Sequence, residues 1–388
     1  MSSVAVRSDP GLLAEIRRYG RFDTTGCFQC GTCTLSCDLA RGAASFPRRI
    51  IRYGLLGLRA PLVASLDPWL CHDCGDCTTA CPRQAEPQVS VETLRRFLIA
   101  QYDWTGLAAR FIRSRAWHLG SVGFVFALVL GLVVVYHVYR LPQVGLPLRG
   151  AARTPLGFAH MFPMMTYFTL TVVLVPLFFL ASHAIRMWLF AMGPEPTRIP
   201  LRHYLAEIRT YVVESATQEQ MAECPEKRQA WIRHLMMVAG TVLMLVIVVF
   251  FLRWFQVDGL YPLYHPQRWL GYLATALMLY GSGAVLADRL TKRAGQPRAE
   301  IRDLVFPALL FLTAATGIAV HLLRYAGLAL TAHYAYAIHI AITVAMLVVE
   351  VPFGKLSHMV YRPLALYLQA VKERAAAAPT GEAVPAHG

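Results

Sequence analysis

Charge is scarce in this sequence: 15% of its 388 residues are Asp, Glu, Lys or Arg, where a soluble domain carries about 25%. Acid is scarcer still, with 23 residues against 37 basic ones and a net charge of +14. With 56% of the chain hydrophobic, a wholly water-soluble fold is excluded and much of it belongs in lipid. The basic excess does not point to nucleic acid, because it falls mostly between apolar spans and is not interleaved with a reading motif. No GxGxxG follows a strand pattern, so any flavin belongs to another subunit. No apolar run opens the chain: the first begins near Leu119, behind a polar, arginine-rich stretch. That excludes a cleavable signal peptide and predicts a cytoplasmic amino terminus. Cysteine is missing from nearly everything but two short stretches, and Cys224, which stands apart, reads as an inert loop residue.

What is present is, first, a series of six apolar stretches, at about 119–140, 158–190, 233–254, 268–289, 304–325 and 333–354. Each is long enough for a helix across a hydrocarbon core of about 30 Å. Pro163, Pro176 and Pro352 predict kinks in the second and sixth. The stretch from Arg186 to Arg233 carries seven Lys or Arg and Arg289 to Arg302 carries five, whereas 324–338 carries only Arg324. This asymmetry, with an even number of spans, predicts both termini in the cytoplasm. The expected fold class is all-α: a cytoplasmic two-cluster domain over 1–117, a six-helix membrane domain over 118–364, and a disordered tail over 365–388. In the first of these, "GLLAEIRRYG", "FPRRIIRYGLLG" and "VETLRRFLIAQY" carry helical periodicity.

The cysteines have an internal repeat. Cys27, Cys30, Cys33 and Cys37 follow the spacing CxxCxxCxxxC, and Cys71, Cys74, Cys77 and Cys81 repeat it, with Pro82 after the second set and Asp38 after the first. Three thiolates so spaced wrap one face of an iron–sulfur cube, while the fourth points away and ligates the other cluster. The expected sets are therefore Cys27, Cys30, Cys33 with Cys81, and Cys71, Cys74, Cys77 with Cys37, for two [4Fe–4S] clusters. Gly31 and Gly75 occupy the same place in each repeat and let backbone amides approach sulfur. Disulfides suit a cytoplasmic segment poorly, and zinc sites normally separate two CxxC pairs.

Histidine inside an apolar span is costly and marks function. His234 opens the third span and His358 ends the sixth on the same side, the pattern of a bis-histidine haem b. His339 lies 19 residues before His358, about 28 Å along a helix, at the level of a second haem. Its partner is His321, His265 or Met244; alternatively His265 and His321 line a quinone pocket and exchange protons with the headgroup. The basic residues Arg48, Arg49, Arg52 and Arg59 form either a docking face or a solvated patch.

These residues resemble a known family. Paired CxxCxxCxxxC motifs fused to six spans ending "AIHIAITVAMLVVEVPFGKLSHMVYR" are similar to the C-type subunits of quinone-interacting membrane-bound oxidoreductases, which join parts like the C and E subunits of heterodisulfide reductase. The carboxyl half also resembles the cytochrome b subunit of respiratory nitrate reductase at Pro352, Phe353, Lys355, Leu356 and His358, with His234 and His339 in comparable places. Met244 stands where that pattern has a second histidine on the helix of His234.

The resemblance implies an electron-transfer subunit in a bacterial or archaeal cytoplasmic membrane. It would exchange electrons between a quinone, menaquinone by analogy, and soluble flavin and iron–sulfur subunits, via one or two haems b and the two clusters. It further implies a link to adenylylsulfate reductase in dissimilatory sulfur metabolism. A heterodisulfide reductase-like or sulfite reductase-associated complex would use the same features, and a transporter with an iron–sulfur sensor domain is the reading from another class.

Overall fold

The computed structural model describes residues 7–22, 26–40, 45–140, 158–193, 199–222, 228–255, 257, 259–291 and 301–377. Among them every regular element is helical, as the all-α expectation requires. Six helices have the length and hydropathy to cross a membrane: Arg115–Tyr136, Thr166–Met192, Arg228–Phe250, Pro266–Leu290, Asp303–Tyr325 and Leu330–Phe353. The chain divides into two units, one of Met1–Ala109, Ala181–Pro225 and His358–Gly388, the other of Arg110–Leu180 and Glu226–Ser357.

In the first unit the three periodic stretches become the Leu12–Ile16, Arg48–Leu55 and Pro87–Tyr102 helices. Leu94, Phe97 and Leu98 are fully buried on one face of the longest, and the Phe97 ring meets Tyr19 edge-on at 5.6 Å. A second knot of buried aromatics joins Trp69, Tyr102 and Tyr361. The Trp69 indole N–H donates to the Tyr102 hydroxyl at 3.2 Å, and the Tyr361 ring lies 5.1 Å and 5.4 Å from the two.

Tyr361 belongs to a helix running from His358 to Ala377, which corrects the expected disorder over 365–377. One face of that helix is apolar and buried, at Tyr361, Ala365, Leu368 and Val371. Its far end is tied by Lys372 Nζ to the Ala191 carbonyl at 2.7 Å and by Arg374 to Glu207 at 2.6 Å. The tail read as disordered thus begins inside an amphipathic helix with a surface to cover. The rest of the tail, 378–388, lies outside the described residues.

In the second unit the third span packs on the fourth, the fourth on the fifth, the fifth on the sixth, and the sixth on the first. The sixth is the central element, with 61% of its apolar window buried against 6–33% for the others. The third and fourth spans approach through reciprocal glycines. A Cβ on Gly240 would lie 2.8 Å from the Met278 backbone nitrogen, and one on Gly281 would lie 2.6 Å from that of Met237. Such small residues let two backbones touch where no hydrophobic force drives helices together. Gly281→Val is expected to push the pair apart at a cost of about 1–3 kcal/mol. Because Met237 is one turn from His234, the imidazole should shift with it, and a thermal melt in detergent reads the loss.

The expected kink at Pro352 is a larger event. The sixth span widens into a π turn over Met346–Glu350 and resumes for Val351–Phe353. It then stops at Gly354, whose backbone is extended. His358 therefore opens a new helix instead of ending the sixth span, and the register counted along one helix from His339 does not apply.

Candidate functional site

The two cysteine motifs fold alike. Gln29 and Asp73 have φ of 55° and 58°, and Gly31 and Gly75 have φ of 92° and 93°, so each loop makes the same left-handed excursions. At the glycines this geometry favours the absence of a side chain. Short helices then start, Thr32–Leu35 and Asp76–Thr79, and carry the third cysteine of each set.

Two cavities result. One is lined by Cys27, Cys30, Cys33 and Cys81, the other by Cys37, Cys71, Cys74 and Cys77. The fourth thiol of each motif thus lies with the other motif's three. Donors already point at sulfur: Asp73 N–H and Ala85 N–H reach the Cys71 and Cys81 Sγ atoms, both at 3.4 Å, and the Gln29 amide reaches Cys27 Sγ at 3.4 Å. Such bonds stabilise thiolate and cluster sulfur alike.

Burial pushes the Cys74 thiol up to about 11 and the Cys77 thiol up to about 12, the latter raised further by Cys71 and Cys74. Cys33, Cys37 and Cys71 are raised for the same first reason. Cys30, on the exposed edge, is lowered by its bond with Thr32. Sets of thiols that resist ionising alone suit a positively charged metal core, which binds them as thiolates. Among the described residues no three His, Cys, Asp or Glu side chains close on a single-ion position. The donor set fits a four-iron cube in each cavity.

Two guanidinium groups that the motif does not announce meet at the second cavity. Arg95 donates to the carbonyls of Pro68 at 2.6 Å and Cys71 at 2.5 Å. Arg362, one turn after His358, donates to the Cys71 carbonyl at 3.0 Å and lies 3.2 Å from His72 Nδ1. Of the basic residues read as a docking face, Arg49 pairs with Asp67 at 2.7 Å, and Arg59 pairs with Asp9 at 2.8 Å and with Glu15. These two are tied within the fold.

The membrane histidines are dispersed. His234 lies in the Arg228–Phe250 helix of the second unit and His358 heads a helix of the first. His339 Nδ1 lies 3.0 Å from Thr316 Oγ1, and Thr316 donates its one hydroxyl hydrogen to Leu312 O at 2.6 Å. The Thr316 hydroxyl also reaches the Thr313 carbonyl at 3.2 Å, so the imidazole and this hydroxyl share one polar cluster inside the span. Gly317 makes room, since a Cβ there would come within 3.2 Å of the His339 ring. Among the described residues none of His321, His265 or Met244 hydrogen-bonds to or stacks on His339.

His321 instead meets the Tyr272 hydroxyl at 2.7 Å and packs 4.7 Å from the Tyr325 ring. Arg268, 8% exposed, lies over Tyr325 at 5.9 Å. Its Nε and one terminal nitrogen have no hydrogen-bond partner among the described residues. His265 caps the fourth span, accepting from Gln267 N–H at 3.3 Å, and stacks on Tyr261 at 4.6 Å. Met244 packs with the core around Met237, Met278 and Leu310.

Two buried pairs escaped sequence reasoning. His118 Nε2 and Glu350 Oε1 lie 2.5 Å apart, with side chains 7% and 1% exposed. A lone acid in the apolar run "MLVVEVP" was the available signal. His183 pairs with Asp103 at 3.2 Å, both fully buried. Burial opposes ionisation of Asp103, but bonds from His183, Thr105 and Ala108 together hold its carboxyl below the usual range. The side chains of His137 and His160, like Cys224, lie outside the described residues.

Residues 23–85 match the family model of a 4Fe-4S dicluster domain, which supports two [4Fe–4S] clusters in this part of the chain. A protein of Archaeoglobus profundus that is like the C subunit of heterodisulfide reductase is 37% identical over 119 residues, covering 29% of this chain and 63% of that one. The second iron-sulfur C subunit of the CoB–CoM heterodisulfide reductase of Methanocaldococcus jannaschii is 38% identical over 94 residues, covering 24% and 50%. The C subunit of the ferredoxin:CoB-CoM heterodisulfide reductase of Methanosarcina acetivorans is 38% identical over 97 residues, covering 25% and 38%. The matched segments thus span between about a third and two thirds of these relatives. No solved structure matches. By their names the last two relatives are subunits of heterodisulfide reductases.

Proposed function

We propose that this chain is the membrane-embedded electron-transfer subunit of a quinone-dependent oxidoreductase. It exchanges electrons between a membrane quinone, menaquinone by resemblance, and soluble flavin and iron–sulfur subunits of the same complex. The observation that carries this reading is a pair of four-thiol cavities in a chain with six helices able to cross a membrane. When bound, clusters and haem b supply the one-electron carriers that let a two-electron quinol be served one electron at a time.

The chain's own residues supply the rest. The eight thiolates hold the clusters. His234, His358 and His339 are each proposed as a ligand of haem b. Arg268 offers two N–H donors to a quinone carbonyl, and the Tyr272–His321 bond offers a place to take or return a proton. The amino-terminal region, 1–117, is proposed to lie with both termini on the cytoplasmic side of a bacterial or archaeal membrane.

The catalytic head is proposed to work with adenylylsulfate reductase in dissimilatory sulfur metabolism. The relatives' names favour a second reading, a heterodisulfide reductase-like head on the same membrane arm. An optical redox spectrum of the purified chain, with haem b counted per polypeptide and a menaquinol analogue as reductant, tests the membrane half. Haem reduced by the quinol is expected, and a protein that keeps its clusters but holds no haem would overturn this half. Identification of co-purifying subunits separates the two heads.

A further inference from the structure

The two cavities have different surroundings. The Cys27, Cys30, Cys33 and Cys81 cavity opens outward: Cys30 is exposed, and Phe28 and Leu35 beside it are 69% and 89% exposed. Arg83 covers the Phe28 ring at 4.3 Å and is itself exposed, where water screens its charge. In the other cavity Cys71 and Cys77 are buried. Its loop is gripped by Arg95 and by Arg362, which stands on the helix that His358 opens.

The second motif carries two acids, Asp73 and Asp76, where the first has Gln29 and Thr32. Beside a thiolate-ligated cluster such acids disfavour an added electron. Two guanidiniums brought in from elsewhere in the chain offset them. Arg362 is half-buried and donates to the same Cys71 carbonyl as Arg95, and its Nε has no partner among the described residues. A pair of cations so placed needs compensating negative charge, which Glu214 and Asp73 supply in part and a thiolate-bound cluster would complete.

We propose that Arg362 is the positioning residue that joins the helix of His358 to the Cys37, Cys71, Cys74 and Cys77 centre. That centre is then the inner station, next to His358, and the Cys27, Cys30, Cys33 and Cys81 centre is the outer one, serving the soluble side. This rests on the cofactor reading above. His358 and Arg362 are four residues apart, about 6 Å along the helix, and Arg362 bonds directly to the backbone of a cluster ligand. Each hop between the stations moves one electron and no atom. The electron pair and two protons come from the quinol, or return to it, and the partner flavin is the other terminus.

The test is a potentiometric titration of the full chain followed by electron paramagnetic resonance, with a water-soluble gadolinium complex as relaxation probe. In the wild type, gadolinium should broaden one of two cubane signals, the outer. Arg362→Gln should move the midpoint of the unbroadened signal to lower potential and leave the other in place, and Arg362→Lys should restore most of the shift. The proposal is overturned if the gadolinium-sensitive signal is the one that moves, if both move together, or if neither does. Should Arg362→Gln fail to fold, the wild-type contrast and the smaller downward shift in Arg362→Lys still decide. A wild-type chain without any cubane signal removes the cofactor reading, and this proposal with it.

Discussion

Cys81→Ala is expected to remove the cluster of the first motif and leave that of the second, cutting bound iron by about half. Cys37→Ala should do the converse. The reason is the crossing of the fourth thiols: Cys81 lines the cavity of Cys27, Cys30 and Cys33, and Cys37 lines the cavity of Cys71, Cys74 and Cys77. The pattern of double variants is more telling than any single one. Cys27→Ala with Cys81→Ala should lose no more iron than either alone, because both strike one cavity, whereas Cys27→Ala with Cys37→Ala should lose nearly all. Iron analysis with resonance spectra reads both. If the same-motif pair proved the redundant one, each motif would hold its own cluster and the crossed assignment would fall. The structural cost should be large as well, since the helices inside the motifs are only four residues long and cannot persist without tertiary anchorage.

His118→Leu should be among the most destabilising single changes in the second unit, by about 3–5 kcal/mol. It leaves Glu350, with a side chain 1% exposed, as a buried acid facing a hydrocarbon side chain. Replacing both partners of a buried pair is far milder than removing one. His118→Leu combined with Glu350→Gln should therefore recover much of the lost stability, while His118→Leu alone melts early. Detergent melts of the two singles and the double close the cycle, and strictly additive losses would show that the pair does not interact. Gly354 belongs to the same arrangement, because a side chain there would run into the Glu350 carboxylate.

Much of this was legible in the sequence because it rests on local chemistry. Apolar runs long enough to cross lipid announce themselves by composition, and the six helices fall within a few residues of the runs. The cysteine repeat also specifies loop shape, and the matching left-handed residues at 29 and 73, and at 31 and 75, are its backbone signature. What the sequence hid depends on contacts between distant segments. Arg362 and Cys71 are far apart in the chain, so neither residue's neighbourhood hints at the bond. The alanine-rich tail suggests disorder until the spacing of Tyr361, Ala365, Leu368 and Val371 finds a surface to cover. A distance from His339 to His358 counted along one helix is invalidated by the π turn and the stop at Gly354. Thr316 could not have been singled out, since a hydroxyl in a span reads as neutral until the imidazole it orients is seen beside it.

The crossed cavities also bear on biogenesis. The two loops repeat one spacing, yet on the proposed crossed ligation neither half would be an autonomous module, because each would borrow a sulfur from its twin. As the chain leaves the ribosome, Cys27, Cys30 and Cys33 emerge with an incomplete cage that stays so until Cys81 follows, roughly 50 residues later. Cys37 likewise waits for Cys71. On the proposed crossed ligation, cofactor delivery is expected to be a late event, made on a segment already synthesised through both repeats, and a scaffold that donates one cluster at a time would meet a site whose halves must first find each other.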